Sequence, residues 1–407
     1  MGWLSGWEFR RNHVINSAPY ASTNYQKRIK VHFGSGLNSG EDVYLDGKCK
    51  TDFSDIRFTD KTGITLLDYW MEEKVDGDYA IFWVEISEDL TYDRRIFVYY
   101  DNPAATSLSN GTNTFIFFDD FETDLSKWSL KQGASISTDY AYSGTKSLKL
   151  EVISATNGFV SNTNALSNVA LHTHYYDLMS AEKECHFVLG YSSTPEENAC
   201  IGPVSDGSTY EYTINGSPYL DTGVARTVGW HEFIIRSTTG LKQFIVDGNL
   251  MTETGVGGIG LYLLTSSAGG TQFPNSTGKS YWDQVFIRKW VNPEPVHGVW
   301  GLEETSEGGG ITTWIAEDVE KSPSQNPLEL ENVLLSMSKD ARSSQDPLIS
   351  LAPSLPYHLP RVDSEDVLLN LLAPREFILE KTFVDLIKKA YPIIGGKHII
   401  QSEGETE

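Results

Sequence analysis

The chain has 407 residues, and its 55 Asp and Glu against 32 Lys and Arg give a formal net charge of −23. This charge excludes a nucleic-acid partner, because phosphate binding needs clustered Lys and Arg, and the length suits two or three domains. Aromatic residues make up 12% of the chain and glycines number 35, a mixture typical of strands joined by tight turns, so an all-β protein is expected.

Residues 1–112 predict a first antiparallel β-sandwich. Short β-type runs follow one another with turn clusters and no amphipathic helix between them: EFRRNHVI, YQKRIKVHF, EDVYLDG, SDIRFTD, YAIFWVEI and RRIFVYY. The run IFWVEI alternates between faces, and RRIFVYY reads as a central strand buried on both sides. Residues 102–114 form the most linker-like stretch, so we expect the domain boundary there.

Residues 113–303 predict a second, jelly-roll-like antiparallel sandwich in tandem with the first. Its β-type runs are joined by NG, DG, GG and SG dipeptides, which tolerate the positive φ of hairpin turns: FIFFDDFE, KSLKLEV, ECHFVLGY, YEYTIN, WHEFIIRS, KQFIVDG, GIGLYLLT and YWDQVFIRKW.

Residues 304–407 predict an extended docking tail with short helices. The composition shifts to Ser, Pro, Leu and acidic residues, and two helical patterns stand out at 328–337 and 364–391, the second interrupted by Pro374. Because such amphipathic segments have no core of their own here, we expect residues 305–407 to bind another subunit or the parent domains. The expected partners are further copies of the chain and other structural proteins of an assembly.

Three cysteines, Cys49, Cys185 and Cys200, show no CxxC spacing and therefore no zinc or disulfide framework. Cys185 and Cys200 lie in two strand-like runs. Their spacing leaves open a cross-strand disulfide or, the favoured alternative, two buried free thiols.

The stretch from Asp52 to Asp60, followed by Tyr69-Trp70, Trp83-Val84 and the run YYDNP at 99–103, resembles a domain of unknown function frequent in archaeal and bacterial surface proteins. In that family the domain is commonly followed by a concanavalin A-like, laminin-G-like sandwich. Residues 113–303 resemble such a sandwich in FFDDFETDLSKW, Trp230-His231, Val246-Asp247-Gly248 and the closing YWDQVFIRKWVNPEP. The resemblance implies two sandwiches at a cell surface.

No catalytic residues are expected. A glycosidase on this kind of fold needs two carboxylates delivered close together, usually by an E-x-D-x-(x)-E strand, and that run does not occur in the sequence. The carboxylates in AEKEC are better explained as solvated charge. We therefore expect a non-enzymatic protein.

A structural Ca²⁺ is the only cofactor expected. Jelly-roll carbohydrate modules often hold Ca²⁺ between an acidic segment at the first strand and an Asp in the last strand, and Asp120, Glu122 and Asp283 resemble that arrangement. The alternative is that these carboxylates cap turns or face solvent.

Sugar binding would need flat aromatic faces beside polar groups. The candidates are Trp128, Tyr191, Tyr210, Tyr212 and Tyr219, of which Tyr210 and Tyr212 share a strand face. A second set of aromatic residues lies in strongly patterned strands and is predicted to be core: Trp7, Trp70, Trp83, Trp230 and Trp282. His172 and His174 share a strand face without a third ligand and are predicted to be surface residues.

Two classes of function fit these observations. One is a non-enzymatic adhesion protein that presents its sandwiches to a host glycan or surface protein, and the other is an architectural subunit of a virion or cell surface without a glycan ligand. A carbohydrate-binding accessory module is a third reading. The start, MGWLSGWEFRR, has no ordinary signal peptide, and no stretch reaches the roughly 20 apolar residues of a membrane span, so we expect an extracellular or virion-surface location reached by another route.

Overall fold

The computed structural model describes residues 2–151, 158–166, 168–179, 185–189, 199–203, 208–214, 218–254, 259–265 and 279–306. All of them fall within one compact unit, Met1–Ile311. The described part contains a single four-residue helix and is otherwise built from strands and loops, which confirms the all-β prediction. The expected tail helices lie outside the described residues, and no described helix is long and apolar enough to span a membrane.

The elements follow in chain order. Those before the predicted boundary are β1 Phe9–Asn16, β2 Tyr25–His32, β3 Asp42–Tyr44, β4 Arg57–Thr59, β5 Tyr69–Val75, β6 Tyr79–Ile86 and β7 Arg94–Tyr100. After them come α1 Gly111–Thr114, β8 Phe117–Asp119, β9 Leu130–Gln132, β10 Ala134–Ser137, β11 Ser147–Glu151, β12 Gly158–Leu166, β13 Val169–Asp177, β14 Cys185–Leu189 and β15 Ala199–Gly202. The remaining strands are β16 Thr209–Thr213, β17 Leu220–Ala225, β18 Gly229–Ser237, β19 Leu241–Val246, β20 Asn249–Thr254, β21 Ile259–Thr265, β22 Lys279–Lys289 and β23 Val296–Thr305.

The first sandwich consists of two four-stranded sheets, ordered β23-β1-β7-β4 and β3-β2-β6-β5. Their pairs are antiparallel except β2 with β3, which run parallel. Alternate residues point inward from each sheet, as the strand period of two requires. Ile29, Phe82, Val84 and Val98 are among the buried side chains that form the core between the sheets.

The second sandwich has a sheet ordered β10-β11-β22-β13-β18-β19-β20, to which β8 adds beside β22, and a facing sheet ordered β17-β16-β15-β14-β21-β12-β9. Its core includes Leu171, Phe233, Phe244 and Trp282 from the first of these sheets. Side chains that alternate with them point away from the core, and we call that surface the outer face.

The last strand returns to the first sandwich. Antiparallel β23 pairs with β1, and Thr305 lies opposite Phe9, so residues 296–305 belong to the first sandwich rather than to the predicted 113–303 unit. Two register shifts interrupt the pair, and Gly301 lies so close to β1 that a Cβ there would be 2.1 Å from the side-chain Nδ2 atom of Asn12. These irregularities remove the simple alternation that would have identified β23 as a strand.

The outer face of the second sandwich packs on the β3-β2-β6-β5 sheet of the first. An aromatic cluster fills this junction: Trp70, Trp83, Phe115, Phe118 and Phe286. Beside it, Glu294 accepts hydrogen bonds from Arg288 at 2.6 Å and from the Tyr25 hydroxyl at 2.8 Å. We call Arg288, Glu294 and Tyr25 the clasp. The predicted core positions of Trp70 and Trp83 are thus buried at the junction between sandwiches.

The motif DFSDIRFTD binds the segment after β7 that leads from the first sandwich to the second. Asp55 is fully buried, and its carboxylate accepts the amide N–H groups of Lys50, Asp101 and Asn102 at 3.0, 2.9 and 3.3 Å. The Arg57 guanidinium donates to the backbone carbonyls of Ser54, Ile56 and Thr106. These bonds satisfy polar groups that burial would otherwise leave unpaired, so the motif residues are structural.

Candidate functional site

The carboxylates predicted to bind calcium hold one loop, residues 138–146, which joins β10 to β11. Glu122 accepts two amide N–H groups of this loop, both at 2.8 Å. Asp283 accepts two more, at 2.8 and 3.3 Å. Among the described residues, Asp120 accepts the amide N–H of Glu122, at 3.4 Å, within its own turn. Two of the three predicted residues therefore share a structural task.

Asp283 sits at an irregular point of β22, where the next residue, Gln284, has a φ of +46°. Burial, with the nearby Glu122 charge as a smaller cause, raises the pKa of Asp283 to about 7. The Oε1 atom of Gln284 is buried without a hydrogen-bond partner in the described structure. Carbonyl and carboxylate oxygens of this kind suit Ca²⁺, so Glu122, Asp283 and Gln284 are the residues that could hold it.

The geometry stops short of a complete metal centre. Among the described residues, no group of three or more His, Cys, Asp and Glu side chains is placed to hold a metal ion. The calcium site therefore stays a prediction, and the present role of Glu122 and Asp283 is to fix loop 138–146.

Three of the predicted sugar-binding residues are core residues. Trp128, Tyr210 and Tyr212 are 2, 0 and 7% exposed. The Trp128 indole N–H donates to Asp119 at 2.7 Å, and the Tyr210 hydroxyl donates to Asp177 at 2.9 Å. Tyr210 and Tyr212 do share a face of β16, as predicted, but that face points into the sandwich. Their rings cannot stack on a ligand.

The other two candidates do not form a platform with them. Tyr219 is half-buried, while Tyr191 lies outside the described residues. Cys200 is a free, buried thiol, and the register places it opposite Val188 rather than Cys185. Burial raises the thiol pKa of Cys200 to about 12.

A different set of aromatic residues forms a partly exposed surface on the outer face of the second sandwich. We call Tyr140, Tyr142, Tyr176 and Trp230 the aromatic patch. Tyr140 stacks on Tyr176 with ring centroids 4.0 Å apart, and Trp230 makes edge contacts to Tyr176 at 5.3 Å and to Tyr142 at 5.8 Å. Tyr142 is 39% exposed and the other three rings are partly exposed.

The patch draws on three elements. Tyr140 and Tyr142 lie on loop 138–146, which Glu122 and Asp283 hold, while Tyr176 lies on β13 and Trp230 on β18. Antiparallel pairing sets Tyr176 directly opposite Trp230, which brings their rings together on one face. The predicted calcium ligands thus position half of the aromatic patch.

Two histidines line the adjacent outer face. His174 stacks on Tyr142 with centroids 3.6 Å apart, and its Nδ1 atom is buried with no hydrogen-bond partner among the described atoms. His172 contacts Phe286 and accepts a hydrogen bond from Arg288 at 3.1 Å. Both are buried, not surface residues as predicted, and burial lowers the pKa of each to about 4.

Carboxylates of both sandwiches converge beside the patch. Glu72 and Glu73 come from β5, and Glu232 comes from β18, next to His174 on β13. Burial, reinforced by these three negative charges, raises the pKa of the Tyr142 hydroxyl to about 12. Burial likewise raises the pKa of Glu72 to about 7. The pKa of Glu232 lies below its ordinary value despite burial, because the His172 imidazole lies 3.7 Å from its carboxylate. The patch therefore lies at an acidic edge of the junction.

Sequence reasoning missed this patch although a signal was present. Tyr140 and Tyr142, like His174 and Tyr176, stand two residues apart, the spacing that puts side chains on one face of an extended chain. Trp230 was assigned to the core because its strand alternates strongly, but alternation does not say which face points inward. Three-dimensional pairing decides that question.

No curated protein matches this chain. Among solved structures, the Crh5 transglycosylase in complex with NAG is 13% identical over 44% of this chain and 86% of its own, with a TM-score of 0.33. A glycoside hydrolase family 16 endo-glucanase from Bacteroides ovatus is 12% identical over 42% and 99%, with a TM-score of 0.29. A beta-1,3-glucanase from Mycobacterium marinum is 16% identical over 43% and 99%, with a TM-score of 0.31.

The family comparison covers a shorter stretch. Residues 52–131 match a family model described as a domain of unknown function, DUF2341. The matched stretch begins at the DFSDIRFTD motif and runs through the junction into the first strands of the second sandwich. Residues 52–131 are therefore similar to this domain of unknown function.

Proposed function

We propose that this chain is a non-enzymatic recognition protein of a cell or virion surface, which binds a glycan through the aromatic patch. The observation that carries the proposal is the patch itself, four partly exposed aromatic rings beside three carboxylates. Aromatic faces pack against the C–H face of a sugar ring, and carboxylates accept hydrogen bonds from its hydroxyls. The proposed glycan site is therefore on the outer face, and not at the buried Tyr210 and Tyr212 that the sequence predicted.

The rigid setting of the patch supports recognition. Four backbone N–H groups of loop 138–146 donate hydrogen bonds to Glu122 and Asp283, and the neighbouring strands belong to the central part of a large sheet. A site whose groups are already ordered loses less conformational entropy when it binds a ligand.

A glycan array probed with the full chain tests this proposal. We expect binding that falls at least tenfold, about 1.4 kcal/mol, in Trp230→Ala and Tyr142→Ala. Tyr92→Ala is the matched control, because Tyr92 is 64% exposed on the first sandwich and lies outside the patch. Equal losses in all three variants, or no loss in any, would remove the patch from the proposal.

A purely architectural role is the second candidate, and the closely packed junction between the two sandwiches favours it. The aromatic cluster and the clasp fix one sandwich on the other, as expected of a space-filling subunit. Under either role we propose that residues after 306 attach the protein to an assembly of its own copies or other structural proteins. Deleting residues 307–407 keeps β23 intact and should reduce the number of copies in the native oligomer, so that its mass falls by more than the mass of the deleted residues. An unchanged number of copies would reject this role for the tail.

A further inference from the structure

The carboxylates beside the aromatic patch restrict the charge of its ligand. Glu73 is exposed and accepts a hydrogen bond from the Tyr79 hydroxyl, and Glu232 has 35% of its side chain exposed. Glu72, with 13% exposed, completes the group. The exposed Glu73 and the partly exposed Glu232 are therefore the carboxylates that a ligand seated on Tyr142 would meet.

The basic groups around the patch are already engaged. Arg28 forms ion pairs with Glu41 and with Glu72, the latter at 3.7 Å. Lys149, beside Tyr281 on the outer face, pairs with Glu151 at 3.3 Å. The Lys30 ammonium lies 4.1 Å from the centre of the Tyr79 ring, and the Tyr79 hydroxyl donates to Glu73, so this cation is beside the Glu73 carboxylate. Each of these positive charges is offset by a neighbouring carboxylate, which leaves little attraction for an anionic ligand.

The remaining basic side chains of the outer face do not offset the carboxylates either. His172 and His174 are neutral at pH 7 because burial lowers the pKa of each to about 4. Arg236 is six residues along β18 from Trp230, which places it about 20 Å away at the usual strand rise of ~3.3 Å per residue. Arg288 belongs to the clasp.

We propose that the aromatic patch takes uncharged oligosaccharides and rejects acidic ones that carry uronic acid, sulfate or sialic acid groups. This inference rests on the proposed glycan-binding function. Hydroxyl groups of a neutral sugar donate to Glu73 and Glu232, whereas a carboxylate or sulfate at the same place meets like charge. Like-charge contact of this kind is a common source of specificity.

The test compares a neutral oligosaccharide that binds on the array with its counterpart oxidised at C6 to the uronic acid. The full chain should bind the neutral form at least tenfold more tightly at low ionic strength, and the ratio should shrink in high salt. Glu73→Gln should reduce the ratio several-fold without changing the melting temperature. Asp124→Asn, an exposed carboxylate on another turn, is the control and should leave the ratio unchanged.

The outcomes separate the two proposals. Array hits that are mainly acidic, or equal affinity for the matched pair, overturn the charge selection while the glycan-binding function stands. A folded chain that binds no glycan removes the glycan-binding function and the charge selection with it.

Discussion

Replacing Glu294 with glutamine tests the clasp between the two sandwiches. The carboxylate receives bonds from Arg288 and Tyr25, and these partners, with Lys27 nearby, lower the pKa of Glu294 to about 2 despite burial. Glutamine keeps the shape of the side chain but removes its charge. Arg288, whose side chain is 4% exposed, would then lose its counter-charge.

The expected cost follows from the pKa. A fall from the ordinary 4.5 to about 2 corresponds to about 3 kcal/mol at ~1.36 kcal/mol per pH unit. Because a quarter of the Glu294 side chain is exposed, we take the lower end of the roughly 3–5 kcal/mol typical of breaking a buried ion pair. Glu294→Gln should therefore lower the free energy of unfolding at pH 7 by about 3 kcal/mol.

The pH dependence provides the decisive measurement. Since the folded pKa lies below the unfolded one, the stabilisation is complete above about pH 4.5 and disappears as the pH falls toward 2. Urea titrations followed by tryptophan fluorescence should show a difference between variant and wild type that shrinks from pH 7 to pH 3. Asp76→Asn, which removes an exposed ion pair with Lys74, is the control and should cost under about 1 kcal/mol. A Glu294→Gln cost that is below 1 kcal/mol, or the same at both pH values, would refute this reasoning.

Four further outcomes are expected. Phe286→Ala, at a fully buried position of the junction cluster, should lower the free energy of unfolding by about 3–5 kcal/mol, and a loss below 1 kcal/mol would show that the junction is not packed in solution. Calcium should raise the melting temperature and a chelator should lower it, with no response in Asp283→Asn; a wild-type melting temperature that a chelator leaves unchanged would exclude the ion. A thiol reagent at pH 8 should label at most one of the three cysteines in the folded chain and all three after denaturation, because two of them are buried with pKa values raised to about 12; rapid labelling of two would contradict their burial. Truncation after Ser306 should leave a cooperative melting transition, whereas truncation after Trp290 should abolish that of the first sandwich by removing β23; equal melting of the two truncated chains would show that β23 is dispensable.

Sequence patterns were sufficient for the all-β architecture because strand period and turn dipeptides are local properties. They did not show that β23 returns to the first sandwich, since its pairing with Phe9 lies almost 300 residues away in the chain and its glycines interrupt the alternation. The boundary near residue 112 is predicted from turn composition; in the structure β7 ends at Tyr100 and β8 begins at Phe117.

The site was harder to predict for a different reason. A pair such as Tyr210 and Tyr212 identifies a common strand face, but only packing against the opposite sheet reveals that this face is the core. Asp120, Glu122 and Asp283 are predicted together as calcium ligands, and in the structure Glu122 and Asp283 anchor the loop that carries Tyr142. That task depends on contacts between residues 23 to 141 positions apart in the chain, which local spacing does not contain.

The pairing of β1 with β23 has a mechanical consequence. Phe9 lies opposite Thr305, so the start of β1 and the end of β23 lie side by side in the same sheet. A pulling force applied at these ends would open the hydrogen bonds between β1 and β23 one after another, as in a zipper. The second sandwich is inserted between β7 and β23 and lies outside this load path, so tension on the molecule would leave the aromatic patch intact until the first sandwich had begun to open.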